Sequence, residues 1–284
     1  MKAQTRINYG ERIERATRYI VENLDKDMDL ASLAGIACLS PFHFHRIYRA
    51  VTGETVIDTV RRNRLHLAAG ELITGDAPLA DIARRARYAS VQAFTRAFNA
   101  AYGIAPATYR KARMLDAPHQ SRNAPKETAM YDVEIRTIEP ISLAAIRHVG
   151  PYMEIGKAFE RLFPWAFRQG LANSKTRMIA VYYDDPKSVP AAGLRSDAAI
   201  SVTKAVPADD TVRPLEVAGG RYAVTIHKGP YAELERAYNW LYREWLPTSG
   251  EEPADRPCFE EYLNDPRATP PAELLTAVAL PLKD

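Results

Sequence analysis

Phe44-His45-Arg46-Ile47-Tyr48-Arg49-Ala50-Val51-Thr52-Gly53 is answered about 50 residues later by Phe94-Thr95-Arg96-Ala97-Phe98-Asn99-Ala100-Ala101-Tyr102-Gly103. A repeat of this length is one supersecondary unit used twice, which narrows the fold more than any composition figure. Each copy follows a short apolar segment, Leu30–Ala37 or Pro78–Ala86, in which Leu33-Ala34 aligns with Ile82-Ala83. A turn intervenes: Cys38-Leu39-Ser40 in one copy, Arg87-Tyr88-Ala89-Ser90 in the other. Ser40 and Ser90 carry the side-chain oxygen that caps a helix, and Pro41 takes the first helical position, where a missing N–H costs nothing. Short helix, tight turn and second helix spell a helix-turn-helix, twice.

The second helix of each unit divides into two faces. Phe44, Ile47, Tyr48 and Val51 recur at i, i+3, i+4 and i+7 and belong to a core, as do Phe94, Ala97, Phe98 and Ala101. The opposite face carries Phe42, His45, Arg46 and Arg49 in the first copy. In the second it carries Gln92, Thr95, Arg96 and Asn99, with Ser90 and Val91 at the start of the helix. These side chains supply the donors and acceptors that base edges demand. Between the units, Val56–Leu72 reads as one helix of roughly 25 Å. That length suits a spacer reaching between major-groove faces ~34 Å apart.

Charge and pattern divide the chain. Residues 1–113 hold 18 Lys and Arg against 11 Asp and Glu, a net +7, and the remainder is −4. A basic front half coupled to an acidic back half points to a polyanionic partner for the front alone. Residues 114–129 hold two prolines and no periodicity and read as a linker. The reading is a multidomain chain: an all-α tandem helix-turn-helix domain at 1–113, then an α+β domain at 130–284. Only Cys38 and Cys258 are present, so a disulfide framework is not expected. No apolar run suits a signal peptide or a membrane span, and a cytoplasmic setting is expected. His43 and His45, two apart on a helix, point about 200° from each other and do not share a metal.

The back half is also doubled. Arg147-His148-Val149-Gly150-Pro151-Tyr152-Met153-Glu154 answers Ile226-His227-Lys228-Gly229-Pro230-Tyr231-Ala232-Glu233, 79 residues apart. Each Gly-Pro-Tyr ends a strand pattern and opens an amphipathic helix, with Ile155, Phe159, Leu162 and Phe163 on one face and Leu234, Tyr238, Leu241, Tyr242 and Trp245 on the other helix's face. Two strand patterns follow each helix: Met178–Tyr183 and Ala198–Val202, then Cys258–Leu263 and Ala277–Leu280. Two pseudo-symmetric β-α-β-β repeats place two helices over one antiparallel sheet, with a groove between the halves.

Residues 29–55 and 78–113, closing on Phe98-x4-Gly103-x2-Pro106-x2-Tyr109-Arg110, resemble the DNA-binding domain of the AraC family. The resemblance implies DNA contact by Phe42, His45, Arg46, Gln92, Thr95 and Arg96, to which the outward faces add Arg49, Ser90 and Val91. Phe259-Glu260-Glu261-Tyr262-Leu263-Asn264-Asp265-Pro266, with Thr269-Pro270-Pro271 and Leu275, resembles the closing motif of the GyrI-like effector-binding domain, found in multidrug-sensing regulators such as BmrR and Rob. That resemblance implies a pocket for aromatic, often cationic, small molecules. Glu260 is its expected carboxylate, with Tyr152, Tyr231, Trp240 and Tyr262 around it, and Glu261 on the other strand face is the alternative. The function expected is a ligand-responsive transcription regulator, an activator working with double-stranded DNA, a small effector and RNA polymerase, without membrane, cofactor, metal or catalysis. The alternative is a module that hydrolyses or sequesters drugs or reactive electrophiles.

Overall fold

The computed structural model describes residues 3–115 and 131–284. Seven helices make the front half: α1 (Ala3–Glu22), α2 (Leu30–Ile36), α3 (Pro41–Thr52), α4 (Val56–Thr74), α5 (Leu79–Arg85), α6 (Val91–Tyr102) and α7 (Pro106–Leu115). Met114 and Leu115 extend α7 beyond the expected boundary at 113, and the linker from residue 116 lies outside the described residues. The pairs α2–α3 and α5–α6 are the two helix-turn-helix units. Their turns share an unusual device: Cys38 and Arg87 both adopt positive φ, 51° and 62°. Side-chain caps start the helices, with Asp29 accepting from the Ser32 amide, Thr55 from Asp58 and Ser90 from Ala93.

Each unit has its own core. Phe44, Tyr48, Leu33 and Ala34 pack with Ile13, Ala16 and Ile20 of α1, while Phe94, Phe98, Ile82 and Ala83 pack with Leu65, Ala69 and Leu72 of α4. The spacer helix starts where its pattern implies, at Val56, and runs two residues beyond Leu72 to Thr74. The helix α1, which the repeat does not announce, completes the first core.

The back half is one eight-stranded antiparallel sheet. Its strands are β1 (Val133–Ile138), β2 (Ile141–Val149), β3 (Met178–Tyr182), β4 (Arg195–Ser201), β5 (Val212–Val217), β6 (Gly220–Lys228), β7 (Cys258–Tyr262) and β8 (Leu275–Pro281). The spatial order is β1-β6-β8-β7-β3-β4-β2-β5. This order is palindromic about the β7–β3 junction, as two repeats related by a pseudo-twofold require. Each repeat has one more strand than the β-α-β-β expectation. β1 leads the first repeat but pairs with β6 of the second, and β5 leads the second but pairs with β2 of the first. Both are edge strands: β1 is mostly exposed, while β5 buries Val212 and Val217 at its ends and contains Pro214, which an edge tolerates.

One face of the sheet lies under α8 (Gly156–Gln169) and a second helix of mixed geometry. The latter runs as α9 (Glu235–Asn239), a π-helical turn Trp240–Trp245 and α10 (Leu246–Ser249). The π-turn corrects the expected apolar face. Leu234 and Leu241 are buried, but the wider turn carries Tyr242 outward to 45% exposure, its hydroxyl 3.3 Å from the Cys258 sulfur.

The two halves are docked onto one another. α1 packs against α8, closely enough that a Cβ on Gly10 would stand 2.8 Å from the Arg168 Cβ. Arg168 pairs with Glu14 at 3.0 Å, and Arg62 of α4 lies between Glu54 and Glu160, 2.5 Å from each. Arg267 donates to the Thr52 carbonyl at the end of α3. Both Gly-Pro-Tyr turns, Tyr152–Glu154 and Tyr231–Glu233, touch α4. Among the described residues no helix is long and apolar enough to cross a membrane.

Candidate functional sites

The first site is the pair of recognition helices. On α3, Arg46 and Arg49 are exposed and His45 is half-buried, while the Phe42 side chain lies outside the described residues. On α6, Gln92 and Arg96 are exposed and Thr95 is half-buried. Ser90 and Val91 have structural duties as well: the Ser90 hydroxyl is spent on the Ala93 amide, and Val91 packs partly against the second core.

Much of the front half's positive charge works internally. Arg12 donates to the Cys38 carbonyl at 2.7 Å, Arg64 to the Leu24 and Lys26 carbonyls at 2.8 and 2.6 Å, and Arg110 to the Ala77 carbonyl at 2.6 Å. Arg87 pairs with Asp27, bracing the second turn against the loop before α2. The net charge therefore overstates what is available to phosphate, and the residues on the recognition faces are the ones left to consider.

The second site is a buried cluster of side chains around Glu260 beneath α8 and α9, the Glu260 chamber. Alternation along β7 puts Glu260 on the helix-covered face and Glu261 on the other. Glu260 is 3% exposed. Three phenols donate to it: Tyr182 and Tyr262 to Oε2 at 3.0 and 3.1 Å, and Tyr238 to Oε1 at 3.1 Å. Burial pushes its carboxyl up to about 7, against the pull of the three phenols. The same burial, with the carboxylate beside them, pushes Tyr182, Tyr238 and Tyr262 well above the usual phenol range. Among the described residues no basic side chain reaches Glu260. Glu261, by contrast, is held by Arg177 through two bonds of 2.7 Å and borders a cavity of about 170 Å³ on the opposite face.

Aromatic rings wall the chamber in a repeated pattern. Tyr152 packs edge-on against Tyr182 at 4.8 Å, and Tyr231 against Tyr262 at 5.0 Å, so each Gly-Pro-Tyr tyrosine meets the strand tyrosine of its own repeat. Phe159 adds a third edge to Tyr262 at 5.5 Å. The Trp240 ring lies 6.4 Å from Tyr131, and among the described residues no ring contact joins it to the four tyrosines. Tyr182 and Tyr238 were not among the expected ligand residues. Tyr182 was findable, because the repeat aligns it with Tyr262, whereas Tyr238 reads simply as a core position. His148 and His227 bond the Pro151 carbonyl and the Tyr131 hydroxyl, a structural role.

Residues 131–283 match the family described as GyrI-like small molecule binding domain, and residues 33–112 match the family described as Helix-turn-helix domain. A protein named DNA gyrase inhibitor from Edwardsiella piscicida is 34% identical over 156 residues, covering 53% of this chain and 97% of the relative. One from Yersinia enterocolitica is 36% identical over 140 residues, 46% of this chain and 85% of the relative. Among solved structures, the EcmrR–DNA complex is similar over 86% of this chain and 82% of its own, with 17% identity and a TM-score of 0.49.

Proposed function

The chain belongs to the GyrI-like small-molecule-binding family, with an AraC-type helix-turn-helix reader in front, and on that premise we propose a DNA-binding regulator whose Glu260 chamber senses aromatic cations. One observation carries the ligand class: a carboxyl sealed among aromatic rings, solvated by three phenols and by no cation. A buried carboxylate without a positive partner protonates or recruits one. Aromatic faces attract cations by about 0.5–2 kcal/mol each. An aromatic cation therefore meets both needs of the chamber at once. Tyr152, Tyr231 and Tyr262 wall the site, and Tyr182 and Tyr238 yield their bonds to Glu260 when the ligand enters.

On the DNA side, His45, Arg46, Arg49, Gln92, Thr95 and Arg96 read bases and phosphates in two adjacent grooves, with Phe42 as a further contact by resemblance. Activation then involves RNA polymerase beside the operator, in the cytoplasm. The full chain, taken through a selection on random duplexes, should recover sites with two contacted segments about one helical turn apart. Arg46→Ala and Arg96→Ala should each cost about 1–3 kcal/mol and relax preference in different segments. Equal weakening on selected and random DNA would reduce both to phosphate contacts.

The ligand class is tested by calorimetry with benzyltrimethylammonium and its neutral isostere neopentylbenzene. The cation should bind the tighter of the two, and Glu260→Gln should remove most of that preference. No preference in the native protein overturns the cation reading. A carboxyl near 7 also suits a general base, which favours a second reading as a hydrolase of reactive electrophiles. Regulation predicts intact electrophile after incubation with the full chain, and Glu260-dependent product would replace sensing with turnover.

A further inference from the structure

We infer that α4, the helix joining the two DNA readers, is the element that reads the state of the Glu260 chamber, and that Tyr231 and His66 carry the signal. The inference rests on the chamber being the sensing site.

One stripe of α4 faces the effector half. Arg62 meets Glu160, the Asn63 amide lies 3.5 Å from the same carboxylate, and Gly70 receives the end of the Met153 side chain. Between them His66 bonds the Met153 carbonyl through Nε2 at 2.9 Å. Burial holds its pKa down to about 4, so the ring is neutral and donates that bond. Met153 belongs to the turn after the first Gly-Pro-Tyr. The second Gly-Pro-Tyr reaches the same histidine from the other repeat, with the Tyr231 ring edge-on to His66 at 6.1 Å. Tyr231 also packs edge-on against Tyr262, whose hydroxyl donates to Glu260.

Four side chains therefore connect the buried carboxyl to the spacer helix: Glu260, Tyr262, Tyr231 and His66. Glu260 is sealed, so a ligand cannot reach it without moving the phenols on it. Tyr262 cannot move without disturbing the edge contact with Tyr231. His66 is held at once by turns from both repeats, so any change in their separation is felt at one point midway along α4. The readers hang from the two ends of that helix, and α8 packs on the first unit while the turn Pro271–Glu273 meets α6 of the second. A shift of one repeat against the other is thereby converted into a change in the relation of the two readers. Coupled sites of this kind change each other's affinity reciprocally, by about 5–150-fold.

The test uses the full chain labelled with ¹³C-histidine, following the His66 ring resonance, which lies in the ring current of Tyr231. Two perturbations are applied separately: saturation with benzyltrimethylammonium, and Glu260→Gln with no ligand. Each should move the His66 resonance. The movement caused by Glu260→Gln should be lost when that change is combined with Tyr231→Leu. His66→Gln, which keeps a donor to Met153, should leave probe affinity nearly unchanged but abolish the effect of probe on operator affinity. A His66 signal unmoved by Glu260→Gln, or moved equally without Tyr231, overturns the relay. If the probe does not bind, the ligand reading fails and the Glu260→Gln arm still decides the relay.

Discussion

Ala180 stands directly across from Glu260 in the β3–β7 pairing, at the place the internal repeat makes its counterpart. Both are buried beneath the helices, and both belong to otherwise matched strands whose tyrosines, Tyr182 and Tyr262, share the same carboxylate. The pseudo-twofold is thus broken at its axis by one carboxyl group opposite a methyl. The small side chain leaves the space that Glu260 and its three phenols occupy. A carboxylate on both sides would set two like charges a strand apart, each raising the other's pKa.

Ligand-free stability should carry the signature of Glu260. Its pKa rises from 4.5 to about 7 on folding, so the folded state binds the proton more tightly. The stabilisation is complete below pH 4.5 and is lost as pH rises through about 7. A shift of that size amounts to on the order of 3 kcal/mol. Glu260→Gln removes the titration, so urea unfolding should find the variant more stable than the native protein at pH 8 and close to it at pH 4.5. A gap independent of pH would contradict a protonated chamber.

Cation binding should run in the opposite sense. The ligand pairs with the ionised carboxylate, so below pH 7 it must first displace a proton. Affinity for benzyltrimethylammonium should fall by about tenfold per pH unit on the acid side and level off above neutrality. Neopentylbenzene, having no charge, should show no such slope. Parallel curves for the two would assign the pH dependence to some other group.

The docking of the halves gives a contrast between two neighbouring arginines. Arg62 lies between Glu54 and Glu160, whose side chains are nearly buried, and Arg61 pairs with Asp58 at the surface. Removing Arg62 as Arg62→Met strands two carboxylates away from water, at a cost of about 3–5 kcal/mol. Arg61→Met should cost about 0–1 kcal/mol, because water replaces an exposed partner. Equal midpoints in urea would mean that Arg62 is as solvated as Arg61.

Much of this fold is written in the sequence because it is written twice. Phe44 with Phe94, Leu33-Ala34 with Ile82-Ala83, and the two Gly-Pro-Tyr motifs each place an element by internal comparison. What escapes is what occurs once. β1 is an edge strand whose mostly exposed residues lack the alternation of a half-buried strand, β5 is interrupted by Pro214, and their swap between repeats leaves no local trace. The face of α4 toward the effector half carries Arg62, Asn63, His66 and Gly70, residue types that read as solvated because their partners lie far along the chain. Tyr242 was misplaced for a related reason: a π-turn breaks the 3.6-residue period used to assign it. Glu260 was legible from its motif, whereas the phenol of Tyr238 was hidden among core positions.

Two helical glycines should respond in opposite directions to the same substitution. Gly normally costs a helix about 1 kcal/mol relative to Ala, through backbone freedom lost on folding. Gly35, near the end of α2, has nothing within 4 Å of where a Cβ would project. Gly35→Ala should therefore stabilise the chain by about 0.5–1 kcal/mol. Gly10, in the middle of α1, lies against α8, where an added Cβ meets the Arg168 Cβ at 2.8 Å and the Pro164 carbonyl oxygen at 3.3 Å. Neither atom is the free end of a flexible side chain, so the two helices must part to admit a methyl group. Parting them also stretches the Glu14–Arg168 pair that bridges the halves. Gly10→Ala should thus lose about 1–3 kcal/mol despite its better helix propensity. Thermal melts of both variants beside the native protein provide the check. If Gly10→Ala melted as high as Gly35→Ala, α1 and α8 would not be in contact in solution, and the docked arrangement of reader and effector halves would have to be abandoned.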